Sequence, residues 1–106
     1  MNSRMRTWVL GLLIASVAFP GFAQSGSEIF SSKCAMCHGA DGLATGTMGK
    51  MMKIPSFKDP TLVKAPDSEL IEATTNGKGK MPEYKDKLTA AQIKEVVAYI
   101  RTLQKK

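Results

Sequence analysis

The chain is poor in the side chains that most often staple a small protein or give it chemistry: its 106 residues include two cysteines and one histidine. Two cysteines cannot make the disulfide framework of a small secreted domain. A bond between Cys34 and Cys37 would close a tiny loop and restrain little of the unfolded chain. A structural zinc wants four ligands, and the three side chains on offer lie within five consecutive positions, too close together to surround a metal. No segment alternates apolar and polar residues over strand length, so no sheet is expected. With the sheet goes the strand-then-helix setting that a C-x-x-C redox enzyme uses. There is no arginine-rich stripe with interleaved aromatics, which sets nucleic-acid binding aside. No apolar run reaches the roughly 20 residues of a membrane span.

What is present begins with a leader. Arg4 and Arg6 precede "WVLGLLIASVAF", Trp8 to Phe19, which Pro20 and Gly21 break. Gly21-Phe22-Ala23 then supplies small residues for cleavage, completing the three regions of a secretory signal. An uncleaved membrane anchor is the competing reading, and the absence of a nearby cysteine speaks against a lipoprotein. Residues 1–23 are therefore read as a cleaved signal peptide and residues 24–106 as one domain in the periplasm. A domain of about 83 residues buries a limited core and usually needs a staple. The formal charge of +6, or +4 without Arg4 and Arg6, is spread over many lysines. Such a surface suits acidic protein partners as well as simple solubility.

Short helices account for the rest. "SGSEIFSSK", Ser25 to Lys33, predicts a helix capped by Ser25 or Ser27 that runs into the cysteines. Gly39 to Phe57 is glycine-rich and aperiodic, a loop with one helical turn near Met48 to Lys53. A loop of that length is usually functional, and here it is expected to wrap something. Pro66 to Thr75 predicts a second helix, with Asp67 and Glu69 in its first turn and Asn76-Gly77 stopping it. Thr89 to Leu103 is the clearest helix. Thr89 and Gln92 stand at capping-box spacing, and Ile93, Val96, Val97, Ile100 and Leu103 form one apolar stripe.

"KCAMCHG", residues 33–39, holds both cysteines and the histidine. In C-x-x-C-H each thiol can add to one porphyrin vinyl group, and the two-residue gap lets both reach neighbouring vinyls from one helical turn. The next residue, His38, then lies beneath the iron and donates a ring nitrogen. A covalent haem would supply the core that so small a chain lacks. A secretory leader agrees with this, since c-type haem is attached outside the cytoplasm.

The stretches "EIFSSKCAMCHGADG", "IPSF", "NGKGKMPEY" and "LTAAQIKEVVAYIRTL" resemble a small bacterial class I, monohaem cytochrome c over essentially all of residues 24–106. The resemblance implies an all-α cytochrome c fold, with three or more short helices and long loops wrapped around one covalent haem c. It implies that the N- and C-terminal helices cross, with Phe30 and Tyr99 meeting there. It also implies an axial methionine before a proline, which is Met81 in "NGKGKMPEY". The glycines before Met81 permit a sharp approach of the backbone, and Pro82 stiffens the exit. The other methionines fit less well. Met36 lies between the cysteines, and the cluster Met48, Met51 and Met52 reads as adaptable packing. A metal-bound histidine usually gives its other N–H to a carbonyl. The family uses a loop proline for this, and Pro55 holds the corresponding place.

The expected function is a periplasmic one-electron carrier shuttling between respiratory partners, not an enzyme. Cys34 and Cys37 would bind haem covalently, and His38 and Met81 would ligate iron. Such ligation raises the reduction potential and fills both axial positions. Lys50, Lys53, Lys78, Lys80, Lys85 and Lys87 would ring the haem edge and steer acidic redox partners, whose identity the sequence leaves open. A monomer without stable membrane insertion is expected. The alternatives are a haem enzyme with a labile sixth ligand, such as a weak peroxidase, and a cytochrome subunit of a larger oxidoreductase.

Overall fold

The computed structural model describes residues 24–106; the leader expected at 1–23 lies outside them. Among the described residues the chain forms α1 (Gly26–Ile29), a π-helical turn (Phe30–Cys34), α2 (Ala35–His38), α3 (Thr47–Met51), α4 (Pro60–Lys64), α5 (Asp67–Asn76) and α6 (Ala90–Gln104). The described residues contain no strand, and Lys78 and Met81 pair as an isolated bridge. The expected all-α architecture of short helices and long loops is the one observed.

Of the two caps the sequence offers, Ser25 and Ser27, Ser25 is the one that caps α1. Its hydroxyl accepts from the Glu28 N–H at 3.2 Å, and the Glu28 carboxylate accepts from the Ser25 N–H at 2.9 Å. The helix then changes register. Across Phe30–Cys34 the ladder widens, and the Ala35 N–H donates to the Phe30 carbonyl five residues back. A π turn inserts one residue into the helix and re-aims the side chains beyond it. Phe30 therefore stays in the core at 1 % exposure, while Cys34 faces a large cavity. The sequence predicts an unbroken helix here, and the π turn departs from it.

In α6 the capping box of Thr89 and Gln92 forms, with bonds of 3.1 and 2.8 Å. The whole predicted stripe from Ile93 to Leu103 is buried. Ile93, Val96, Ile100 and Leu103 join Ile29, Phe30, Phe57 and Leu88 in one core. Each large apolar side chain so buried contributes about 1.5–3 kcal/mol. Helices α1 and α6 cross, and Phe30 meets Tyr99 there with ring centroids 5.4 Å apart. The crossing is close because of Gly26, where a Cβ would collide with the Glu95 carbonyl and lie 3.2 Å from Tyr99 Cβ.

Helix α5 begins one residue later than predicted. Pro66 takes the cap position in extended conformation, φ −71° and ψ 158°, and the helix ends at Gly77, φ +80°. The predicted turn near Met48 is α3, and α4 was not anticipated. Asp59 caps α4 by accepting from the Thr61 N–H at 2.8 Å, with Pro60 in the first turn. Five residues are too few for a readable period. Arg101 fastens this region to α6. Its guanidinium donates to the Asp67 carboxylate at 2.8 Å and to the carbonyls of Leu62 and Ala65.

Candidate functional site

A cavity of about 610 Å³ opens between α2, α5, α6 and the two long loops. It gathers all five residues singled out from the sequence: Cys34, Cys37, His38, Pro55 and Met81. The volume falls within the range of small-molecule and cofactor sites. Apolar side chains such as Leu62, Leu70, Val96 and Ile100 make much of the remaining wall.

The two thiols and the imidazole come from the turn that joins the π segment to α2. Burial pushes the Cys34 thiol up to about 11, against the opposing charge of Lys33. A dithiol enzyme needs the reverse, a thiol whose acidity is raised. Cys34 and Cys37 are not joined to each other. Among the described residues no group of three or more His, Cys, Asp or Glu side chains converges as a zinc site requires. Burial also lowers the pKa of His38 from its ordinary value, which favours the neutral imidazole that a metal ligand must be.

The His38 ring lies against Phe57, centroids 4.6 Å apart and planes 18° from parallel. Phe57 is held from both sides. Its N–H donates to the Gly42 carbonyl at 2.9 Å, and its carbonyl accepts from the Gln104 side chain at 3.0 Å. Gly42, φ +78°, leaves room for it, since a Cβ there would sit 2.7 Å from Phe57 Cδ2. Phe57 is thus a buttress for His38 that the sequence reading missed. The signal available was an aromatic two residues after Pro55. The His38 ring stacks on Phe57 and its Nδ1 is buried without a hydrogen-bond partner, so the expected bond to the Pro55 carbonyl is not made.

Met81 arrives from the connection between α5 and α6. Lys78 and Met81 exchange backbone bonds of 3.1 and 3.0 Å around a tight turn. Gly77 permits it, since a Cβ there would lie 2.7 Å from the Met81 carbonyl. The segment is stitched to the end of α5, where the Tyr84 N–H donates to the Thr74 carbonyl at 3.1 Å and the Lys85 N–H to that of Thr75 at 3.2 Å. Tyr84, also missed, lines the cavity and donates its phenol to the Lys33 carbonyl at 3.1 Å.

The remaining methionines divide. Met52 lines the cavity, but Met51 is 70 % exposed and Met36 81 % exposed. Packing, the role expected of the whole cluster, fails for Met51. Of the six lysines expected around the site, Lys53, Lys78 and Lys80 line the cavity, and Lys33 joins them unforeseen. Lys85 pairs with Glu83 at 3.8 Å, and Lys87 lies over the Tyr84 ring at 5.5 Å.

The donor set fits a covalently held haem. Two free thiols share one helical segment, an imidazole has a buried nitrogen without a protein partner, and a thioether enters the same apolar space from a separate loop. The comparisons agree. A family model described as cytochrome C oxidase, cbb3-type, subunit III matches residues 21–100. The chain is 34 % identical to cytochrome c6 of Gloeothece citriformis, over 87 % of this chain and 81 % of that protein. It is 29 % identical to the cbb3-type cytochrome c oxidase subunit FixPc of Rhizobium leguminosarum bv. viciae, over 79 % of this chain and 29 % of that one. Among solved structures, the KustC0563 c-type cytochrome superposes with a TM-score of 0.70 at 29 % identity, covering 76 % of this chain and 99 % of that one. The chain belongs to the cytochrome c family as a small monohaem member that carries one covalent haem c.

Proposed function

We propose that this haem c electron carrier works outside the cytoplasm, with His38 and Met81 as the two axial ligands. The single observation carrying this reading is that Met81 shares one cavity with Cys34, Cys37 and His38 although it lies on a distant loop. When bound, the haem supplies a one-electron iron couple. The chain's own residues do the rest. Cys34 and Cys37 tether the group, and Phe57 orients the imidazole. Apolar walls exclude water, and a thioether donor favours the reduced metal. If His38 and Met81 both hold the iron, no position is left for a substrate and electron passage would need little rearrangement, which favours a carrier over an enzyme. The lysines at the cavity rim would steer acidic redox partners, and the leader at residues 1–23 supports a periplasmic location.

The test is the ferric absorption spectrum of wild type and Met81→Ala during a redox titration. A methionine–iron charge-transfer band present in wild type and lost in the variant, with a lowered potential, is the expected result. A high-spin wild-type spectrum that binds cyanide rapidly would instead favour a haem enzyme with a labile sixth ligand. The family model's description and the FixPc match motivate a second reading, a cytochrome subunit of a larger oxidoreductase. Purification of the protein as a soluble monomer would argue against that reading.

A further inference from the structure

The segment that carries Met81 is anchored at both ends to one wall of the cavity. The Gly77 N–H donates to the Ala73 carbonyl at 2.9 Å, and the Tyr84 N–H to the Thr74 carbonyl at 3.1 Å, both on α5. Neither bond ties it to the opposite wall, where the cysteines lie. The Tyr84 phenol does. It reaches across 51 residues of sequence to the carbonyl of Lys33, the residue before Cys34, and the bond lies at the solvent-exposed rim. The π turn that ends at Cys34 is where the helical ladder is widened. The Tyr84 backbone is fixed independently of its side chain, because its carbonyl also accepts from the N–H groups of Lys87 and Leu88 at 2.9 Å each.

We propose that Tyr84 is a positioning residue for the Met81 loop: its hydroxyl latches that loop to the cysteine turn and holds it closed over the cofactor cavity. The idea rests on Met81 as the sixth ligand. Local opening of the loop, short of unfolding, would then control how often the sixth position is exposed. One hydrogen bond of this kind changes such an equilibrium by about two- to tenfold.

The experiment is stopped-flow cyanide binding to the ferric holoprotein, comparing wild type, Tyr84→Phe and Met81→Ala. Phenylalanine keeps the ring and removes only the donor. The latch predicts that Tyr84→Phe keeps the methionine–iron band yet binds cyanide about two to ten times faster. A Tyr84→Phe rate equal to wild type overturns the latch while leaving Met81 ligation standing. A wild-type rate as fast as that of Met81→Ala overturns the ligation reading, and the latch with it. The urea dependence of the rate separates loop opening from general destabilisation. A shallow dependence in Tyr84→Phe supports the latch. A dependence as steep as that of global unfolding shows a merely structural role and overturns it.

Discussion

Replacing Gly26 by alanine tests the fold at its tightest point. The new Cβ would collide with the Glu95 carbonyl oxygen, approach the Glu95 carbonyl carbon at 2.8 Å, and lie 3.2 Å from Tyr99 Cβ. Two of these three atoms are backbone of α6, so no side-chain rotation relieves the clash. Helix α1 must retreat, and it carries Ile29 and leads into Phe30, which are 0 % and 1 % exposed. Overpacking of this kind costs about 1–3 kcal/mol. Alanine's better helix propensity returns at most about 0.5–1 kcal/mol, and less in the first turn. The net loss is about 1–2 kcal/mol, which lowers Tm by roughly 5–15 °C in a domain of this size. Thermal unfolding of the ferric holoprotein, followed by circular dichroism at 222 nm, is the assay. Gly46→Ala is the control. Gly46 caps α3 at φ −77° with nothing within 4 Å of its Cβ position, so its change should stay within about 0.5 kcal/mol. Equal stabilities for the two variants would refute the argument that backbone contact at Gly26 sets the crossing.

Two more outcomes are expected at the site. A Cys34→Ser, Cys37→Ser protein, unable to attach haem, should lose its cooperative melt and most of its helical signal. At about 24 cal/mol per Å³, emptying the cavity would cost on the order of 10 kcal/mol, comparable to the whole stability of such a domain; native helicity in that variant would contradict the haem's role as core. Electron transfer with an acidic redox partner should slow as salt rises from about 0.01 to 0.15 M, where the Debye length falls from about 30 to about 8 Å, and charge reversal at Lys80 should flatten the dependence; rates that do not change with salt would remove electrostatic steering.

The parts of this molecule that could be read from sequence are those with a local cause. The capping boxes of Ser25–Glu28 and Thr89–Gln92 satisfy helix ends within four residues; the second formed as read, and the first settles on Ser25 a cap the sequence had left between Ser25 and Ser27. The stripe from Ile93 to Leu103 needs only the helical period and something apolar to cover it. Cys34, Cys37 and His38 were legible as a cluster because they are adjacent in the chain, and the cavity they line also takes in Met81, whose framing glycines and proline had marked it. The methionine cluster shows where periodicity stops helping. At about 100° per residue, positions 48, 51 and 52 fall within one arc of about 100°, the spacing of a single helical face, so the period predicts that all three turn inward together. The helix is a single turn that stops at Met51, and that residue is left 70 % exposed, so the period alone does not decide which side chains are covered.

The features that were not legible are defined by what they approach. Gly26 matters because Glu95 passes over it, Gly42 because Phe57 lies against it, and Phe57 because His38 stacks on it. None of these pairs is close in sequence. The π turn belongs to the same class. Nothing in "FSSKC" forbids an ordinary helix, and a regular register would turn Cys34 by roughly 100° relative to Phe30. The extra residue reconciles two demands on one short helix: Phe30 must reach the crossing with α6, and the cysteines must face the cavity. A deletion that restores regular register could satisfy one demand or the other. The irregularity therefore lies between the residue at the helix crossing and the cysteines that face the cavity, where a widened register has a function to support it.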